Sequence, residues 1–197
     1  MDKRCLIIAC GALAREIRQL IEINQWSHVR LECLPASLHN TPGKIPQRLG
    51  AKLNTVRGRY DRILIAYADC GTAGEIDKLI AGEPNVTRLD GPHCFAVLAG
   101  QERHDAIMAE TPGSYWLTDF LVRHFKTMVI QSLGLDKNPE LKSLYFANYE
   151  QAVYISQTND KTLLFAAREA ADFLGLKFKH IHTGYGQMTE TLKWCAA

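Results

Sequence analysis

Short runs of apolar residues alternate along the chain with longer segments in which apolar positions recur every three to four residues. Unbroken apolar runs suit strands that are buried on both faces, whereas the longer period is that of an amphipathic helix. A further segment alternates apolar and polar residues, as an outer strand does. The pattern predicts seven strands, at 5–9, 29–34, 62–68, 86–89, 114–117, 152–157 and 176–182.

Helical patterns fill the intervals between these strands. They cover 11–25, 45–60, 75–81, 95–110 with a break near Gly100, 120–133, 139–146, 160–174 and 187–194. Regular alternation of strand and helix predicts an α/β protein with a doubly wound, mostly parallel sheet flanked by helices, a Rossmann-like arrangement. Because no repeat, low-complexity tract or linker divides the chain, we expect residues 1–197 to form a single domain.

Composition narrows the classes of function. The chain has 197 residues, and its formal net charge of +2, with dispersed lysines and arginines, argues against a nucleic acid partner. No apolar run approaches the roughly 18 residues of a membrane span, and the first residues lead into a strand rather than a signal peptide. We therefore expect a cytoplasmic protein with reduced or metal-bound cysteines, and apolar helices in its second half would permit a homodimer.

Four of the six cysteines fall where predicted strands end: Cys10, Cys33, Cys70 and Cys94. The carboxyl ends of parallel strands share one edge of the sheet, and ligands bind there. Cys10, Cys70 and Cys94 also precede helices, whose free N–H groups favour the thiolate. They predict a tri-cysteine site with one open coordination position, for zinc or an iron–sulfur cluster. Cys33 is a weaker fourth ligand, and core packing is the alternative for every cysteine.

Neighbouring residues supply candidate catalytic and binding groups. Asp69 and His93 are candidates for acid–base catalysis beside the thiols. Alternatively, Asp69 could cap a helix, and His93 could hydrogen-bond to a metal ligand without binding the metal itself. Backbone N–H groups of the glycine-containing turns could bind an anionic cofactor, or these could be plain tight turns. The residues predicted for such binding are Gly11, Gly71, Thr72 and Gly74.

Further polar residues are expected at the same edge. His39 lies in a strand-end loop and could be an additional ligand, and Thr118 and Asp119 could contact substrate. His180 and His182 share one strand face, which suits metal chelation and an exposed outer strand equally well.

Eight short motifs lie at 9–13, 34–40, 69–74, 91–94, 117–121, 133–136, 139–141 and 183–186. Together they resemble one family, the domain-of-unknown-function family 1638. The resemblance covers nearly the whole chain, with Ala73 standing where members usually have a second glycine. The resemblance implies a context rather than an activity, because members are often encoded beside corrinoid proteins and corrinoid-dependent methyltransferases.

Three functions follow from these residues and this context. The leading hypothesis is a metal- or iron–sulfur-binding protein, accessory or catalytic in corrinoid-linked one-carbon methyl transfer. The second is a metal-free enzyme that uses a cysteine nucleophile on a small-molecule substrate. The third is a non-catalytic adaptor that docks a corrinoid or methyltransferase protein.

Overall fold

The structure, a computed structural model, describes residues 4–196. Seven parallel strands lie close to their predicted positions, because each apolar run is long enough for one buried strand. They are β1 (Cys5–Cys10), β2 (Val29–Leu34), β3 (Arg62–Ala66), β4 (Val86–Arg88), β5 (Ser114–Thr118), β6 (Gln151–Ser156) and β7 (Lys177–His182).

Helices connect these strands as the pattern predicts, with one difference. The predicted helix over 120–133 is a short α-helix followed by a π-helical segment, Lys126–Gln131. No helix within residues 4–196 is long and apolar enough to cross a membrane. The helices are α1 (Ala14–Ile23), α2 (Ile45–Val56), α3 (Glu75–Ile80), α4 (Cys94–Ala99), α5 (Gln101–Glu110), α6 (Asp119–Arg123), α7 (Leu141–Phe146), α8 (Lys161–Leu174) and α9 (Met188–Ala196).

The predicted α/β class, with parallel strands flanked by helices, is confirmed. The strands form two sheets rather than one, with orders β2-β1-β3-β4 and β5-β6-β7. Contacts divide the chain into two compact units, the first made of Met1–Val97 and Tyr185–Ala197 and the second of Leu98–Gly184. Assignment of the whole chain to a single domain stays a prediction.

The first unit is built around β1, in which all six residues are buried. From β1 the chain moves outward to β2, then returns to the other side of β1 with β3 and continues to β4. The order therefore reverses between β1 and β3. In open α/β sheets, ligands bind beyond the carboxyl ends of the strands at this reversal.

Helix α9 returns to the first unit and contacts β1 and β3. Cys195 of α9 and Cys5 of β1 form a disulfide, with 5.8 Å between their Cα atoms. The prediction that the cysteines are reduced or metal-bound is therefore wrong for this pair. Packing of the chain end against the first strand brings together two buried thiols that lie 190 positions apart in sequence.

The second unit packs α8 against its three-stranded sheet. Leu117, Ala152, Tyr154, Ala167 and Ala171 lie in its buried core. Small alanines at the buried positions of α8 let the helix approach the sheet closely, and Asp160 caps it through Thr162 N and Leu163 N. Strand β7 lies at the edge of this sheet, which confirms the prediction of an outer strand.

Candidate metal centre

Three cysteines of the first unit lie at the carboxyl edge of its sheet, next to the reversal point. Cys10 is the last residue of β1, Cys70 follows β3, and Cys94 begins α4 after β4. All three are buried free thiols. The sheet order places the ends of β1, β3 and β4 side by side, so the prediction that these residues share an edge agrees with the structure.

Two backbone hydrogen bonds join the turn after β3 to the turn after β4. Asp69 N donates to the Gly91 carbonyl (3.1 Å), and Cys70 N donates to the Pro92 carbonyl (2.8 Å). Cys70 has a φ of +51°, a left-handed conformation that is uncommon for residues with a side chain. These contacts hold the Cys70 backbone against the segment that leads into Cys94.

His39 reaches the thiols from a 3₁₀ turn, Ala36–Asn40. A Cβ at Gly11 would lie 3.1 Å from the Leu34 carbonyl oxygen and 3.2 Å from Ala36 N, so glycine lets this turn approach the end of β1. His39 Nδ1 consequently lies 4.0 Å from Cys10 Sγ. Gly11 thus has a structural role in bringing His39 to the site.

His39, Cys70 and Cys94 form a group whose ligand atoms all lie within 4.8 Å of one another. For tetrahedral zinc, bond lengths near 2.3 Å to sulfur and 2.0 Å to nitrogen place two sulfurs about 3.8 Å apart and sulfur and nitrogen about 3.6 Å apart. The observed limit is within reach of that spacing through small side-chain adjustments. The chemistry of the set, two thiols and one imidazole, is that of zinc sites.

Burial and mutual hydrogen bonding give the site thiols different acidities. The pKa of Cys70 is lowered, because the Cys94 thiol donates a hydrogen bond to its thiolate. The pKa of Cys94 is raised by that same contact and by burial. Burial raises the pKa of Cys10 to about 11 and lowers the pKa of His39. A neutral imidazole, which can bind a metal, therefore lies beside one favoured thiolate.

Tyr67, the first residue after β3, places a buried hydroxyl near the thiols. Its side chain is 1% exposed, and Oη has no hydrogen bond of standard geometry with a described residue. Burial raises the pKa of Tyr67, and the neighbouring thiol of Cys10 adds to the rise. The tyrosine therefore keeps its proton and can donate it in a hydrogen bond. Sequence reasoning missed this residue, because a tyrosine at a strand end is also an ordinary core residue.

Cys33 differs from the other three strand-end cysteines. Its side chain is exposed, and it is not part of the group formed by His39, Cys70 and Cys94. In the parallel register Cys33 pairs with Ala9, one position before Cys10. Its role as a fourth ligand, like the ligand roles of Cys10, Cys70 and Cys94, stays a prediction.

The turn after β3 satisfies its own backbone donors with the Asp69 carboxylate. Gly74 N donates at 2.7 Å, Ala73 N at 3.2 Å and the Thr72 hydroxyl at 3.0 Å. These contacts, with Gly74 N foremost, lower the pKa of Asp69 and keep it ionised. An anionic cofactor at Gly71, Thr72 and Gly74 would have to compete with this carboxylate. The cofactor-binding and catalytic roles expected at this turn stay predictions.

His93 makes a contact that accounts for its position at the start of α4. Its Nδ1 accepts a hydrogen bond from Ala96 N (3.3 Å), as the side chain of a helix-capping residue does. The ring also lies edge-on to Phe95, with 5.7 Å between ring centroids. A catalytic role for His93 stays a prediction beside this structural one.

Asp69→Asn is expected to destabilise the protein by about 1 kcal/mol at neutral pH, because a neutral amide accepts these bonds less strongly. The folded-state pKa of Asp69 lies below the ordinary value of 3.8 for an aspartate. Its contribution is therefore complete above that value and is lost as the pH falls through the lower folded-state pKa. Urea unfolding should show a difference between wild type and variant at pH 7 that shrinks in acid. Asp136→Asn, at an exposed carboxylate, should show no such difference at either pH.

A second polar cluster lies at the carboxyl edge of the second unit's sheet. Asp119, which is fully buried, accepts hydrogen bonds from Tyr154 Oη (2.7 Å), Gln157 N (3.0 Å) and Thr158 Oγ1 (2.6 Å). The Thr118 hydroxyl accepts from Leu121 N and caps α6. Asp119 is therefore a satisfied structural carboxylate, which gives it a role besides the predicted substrate contact.

His180 and His182 meet at the hydroxyl of Ser156. Ser156 Oγ lies 2.9 Å from His180 Nε2 and 3.0 Å from His182 Nδ1. A hydroxyl donates one hydrogen bond and can accept two, so at least one of these rings must be a donor to Ser156 Oγ. This network ties β7 to β6, and it explains the paired histidines without a metal.

This first unit presents a thiol- and imidazole-lined site on a parallel α/β sheet. The chain belongs to the family described as "Protein of unknown function (DUF1638)", whose model matches residues 33–192. Among solved structures, the ornithine carbamoyltransferase from Pyrococcus furiosus is similar at 14% identity over 92% of this chain, with a TM-score of 0.25. The chain spans about half of that protein (55%), and a score this low does not define a shared fold. No curated protein matches the chain.

Proposed function

We propose that the protein binds a single metal ion, of the kind zinc represents, through His39, Cys70 and Cys94. The observation that carries the proposal is the convergence of these three ligand atoms within 4.8 Å at the sheet's reversal point. Two cysteines and one histidine that leave a fourth position open are a catalytic zinc set rather than a closed structural one. The open position expected for the tri-cysteine site is thus retained, with His39 in place of Cys10.

The spacing favours a mononuclear centre over an iron–sulfur cluster. In a [4Fe–4S] cluster each cysteine binds a different iron, so the sulfurs are held apart by the width of the cluster. The Cys70 and Cys94 thiols are close enough to share one hydrogen bond, which suits two ligands of one ion. Iron–sulfur clusters are held mainly by thiolates, and the histidines of Rieske centres bind one iron as a pair, whereas His39 is the one histidine of this ligand group.

Cys10 and Tyr67 lie beside the proposed ligands and are the candidates to contact a molecule at the open position. Cys10 lies 4.0 Å from the His39 ring, and its raised pKa keeps it a neutral thiol in the absence of a metal. The Tyr67 hydroxyl, which lies beside the Cys10 thiol, could donate to an oxygen or sulfur of a bound small molecule. A zinc ion would supply Lewis-acid activation of that molecule. These two side chains would orient it, and Cys10 could enter as a fourth ligand when the molecule leaves.

We further place this centre in corrinoid-linked one-carbon methyl transfer in the cytoplasm. The support for this proposal is that members of the family are often encoded beside corrinoid proteins and corrinoid-dependent methyltransferases. Zinc–thiolate centres activate thiols for methyl transfer, so the chemistry of the site is compatible with that context. An affinity-purification experiment with the corrinoid protein encoded beside a family member tests the partner directly. An unrelated corrinoid protein serves as the control.

Replacement of the metal by cobalt tests the ligand set. Co²⁺ bound by two thiolates and one imidazole gives sulfur-to-cobalt charge-transfer absorption and the strong visible bands of a four-coordinate ion. We expect both in the wild type, with weaker charge transfer in Cys94→Ser. In His39→Ala the charge transfer should remain and the visible bands should change. A spectrum of six-coordinate cobalt without charge transfer would overturn the proposed site.

A metal-free thiol enzyme is the second candidate, and one observation favours it. The Cys94 thiol stabilises a thiolate on Cys70, which is the activation that a nucleophilic cysteine requires. This candidate predicts that Cys70 reacts with iodoacetamide at neutral pH well before Cys10 and Cys94, even after metal is supplied. Protection of Cys70 by one equivalent of zinc would favour the metal centre instead.

A further inference from the structure

We infer that the first unit has a second binding site, for a phosphorylated small molecule, at the amino edge of its sheet. A pocket of about 480 Å³ opens there, lined by Arg4, Ser27, His28, Arg30, Arg59 and Tyr60. These residues precede or begin β1, β2 and β3, whereas the thiols follow the strands. The two sites therefore lie at opposite edges of one parallel sheet, and neither depends on the other.

The charge of this pocket selects an anion. Three guanidinium groups and one imidazole line it, and no carboxylate residue is among the lining residues. Guanidinium groups bind phosphate and carboxylate oxygens through paired N–H donors, and Arg is the residue of choice for such recognition. The serine and tyrosine hydroxyls add neutral donors, so the pocket offers both charged and neutral donors to an anion with several oxygens.

Local contacts leave much of this positive charge uncompensated. Arg4 has a nearby carboxylate, because Asp61 Oδ2 accepts from Arg4 N at 2.8 Å and lies 4.0 Å from Arg4 Nε. Arg59 Nη1 donates to the Thr55 carbonyl at a long 3.4 Å. Within residues 4–196, neither Arg30 nor Arg59 has a carboxylate partner. Neighbouring arginines differ, since Arg57 is paired with Glu83 at 2.6 Å.

The pocket is supported from behind by the end of α9. His28 Nε2 donates to the Ala196 carbonyl (2.9 Å), which fixes the ring, and Arg62 Nη1 donates to the Trp194 carbonyl. With Nε2 engaged as a donor, Nδ1 of the neutral ring is an acceptor, so the arginines and hydroxyls are the groups that would hold an anion. The pocket's volume lies within the range of about 300–1,000 Å³ that holds small ligands. A concave site of this size suits a compact ligand with two or more negative charges better than a nucleic acid backbone.

Titration calorimetry with pyrophosphate tests the inference. The same titration with inorganic phosphate and with a nucleoside diphosphate shows whether the pocket takes a free phosphate or a phosphorylated metabolite. We expect saturable binding that weakens as salt is raised. The double variant Arg30→Gln/Arg59→Gln should weaken pyrophosphate binding by at least about tenfold, because the loss of one charge-assisted contact alone has about that effect. Arg57→Gln, the matched control, should bind as the wild type does. If the double variant fails to fold, Ser27→Asp replaces it as the test. This substitution adds a negative charge to the pocket and should also weaken binding.

Three results would overturn the inference. The first is no saturable pyrophosphate binding at millimolar concentration, and the second is equal weakening by Arg57→Gln. The third is tighter binding of a single-stranded oligonucleotide than of pyrophosphate, lost in the double variant, which would assign the surface to nucleic acid. Because Cys70 and Cys94 are at the other edge of the sheet, their serine variants should retain pyrophosphate binding.

Discussion

Cys70→Ser is expected to weaken zinc binding by at least about a hundredfold, since even residues that only support a metal ligand cost up to that much when replaced. Cys70 is the most consequential ligand of the proposed centre. Its backbone is fixed by a hydrogen bond to the Pro92 carbonyl, and its thiolate is stabilised by Cys94 before any metal arrives. Serine keeps the shape of the side chain but removes the soft, ionisable ligand atom. Competition with a chromophoric chelator measures the affinity.

Cys33→Ser is the matched control for this prediction. Cys33 is also a strand-end cysteine, but its side chain is exposed and outside the ligand group. We expect its variant to bind zinc as tightly as the wild type does. Equal losses in Cys33→Ser and Cys70→Ser would mean that metal binds to surface thiols, and circular dichroism of both variants separates lost affinity from lost folding.

Asp119→Ala is expected to cost about 3–5 kcal/mol of stability, because it leaves buried hydrogen-bond donors without an acceptor where the carboxylate was. The carboxylate is fully buried, and it accepts from Tyr154, Gln157 and Thr158 while Arg123 Nη2 lies 3.6 Å away. Its removal leaves two hydroxyls and two backbone N–H groups without their acceptor. The free energy of unfolding in urea measures the loss.

Asp160→Ala in the same unit provides the comparison. Asp160 caps α8 through Thr162 N and Leu163 N at the protein surface, where water can replace the lost acceptor. A cap of this kind is worth about 1 kcal/mol. If Asp119→Ala destabilises the protein no more than Asp160→Ala does, the buried network is not the structural tie inferred here.

The strands could be predicted from sequence because each apolar run has the length of one buried strand. The pairing of those strands could not. Val86–Arg88 and Ser114–Thr118 read as neighbours along the chain, yet they belong to different sheets. Periodicity reports which face of a segment is buried, whereas sheet membership is decided by packing. Because periodicity does not report which segments pack together, the Cys5–Cys195 disulfide, which joins the two ends of the described chain, could not be predicted either.

The candidate site was partly visible in the sequence. Thiols that follow parallel strands were expected at one edge, and Cys10, Cys70 and Cys94 are there. The place of His39 beside them depends on how closely its turn can approach Gly11, a contact that no local pattern records. The capping contact of His93 and the internal bonds of Asp69 are local instead, and a cap at Asp69 was among the alternatives that the sequence offered.

Metal content of protein purified without oxygen tests the central claim most directly. The proposed centre predicts one zinc ion per chain by elemental analysis, with an absorption spectrum that lacks the visible bands of an iron–sulfur cluster. The ion should be lost in the Cys70→Ser/Cys94→Ser variant and retained in Cys33→Ser. Less than half a metal ion per chain in the wild type, even after growth and purification with added zinc, would contradict the account.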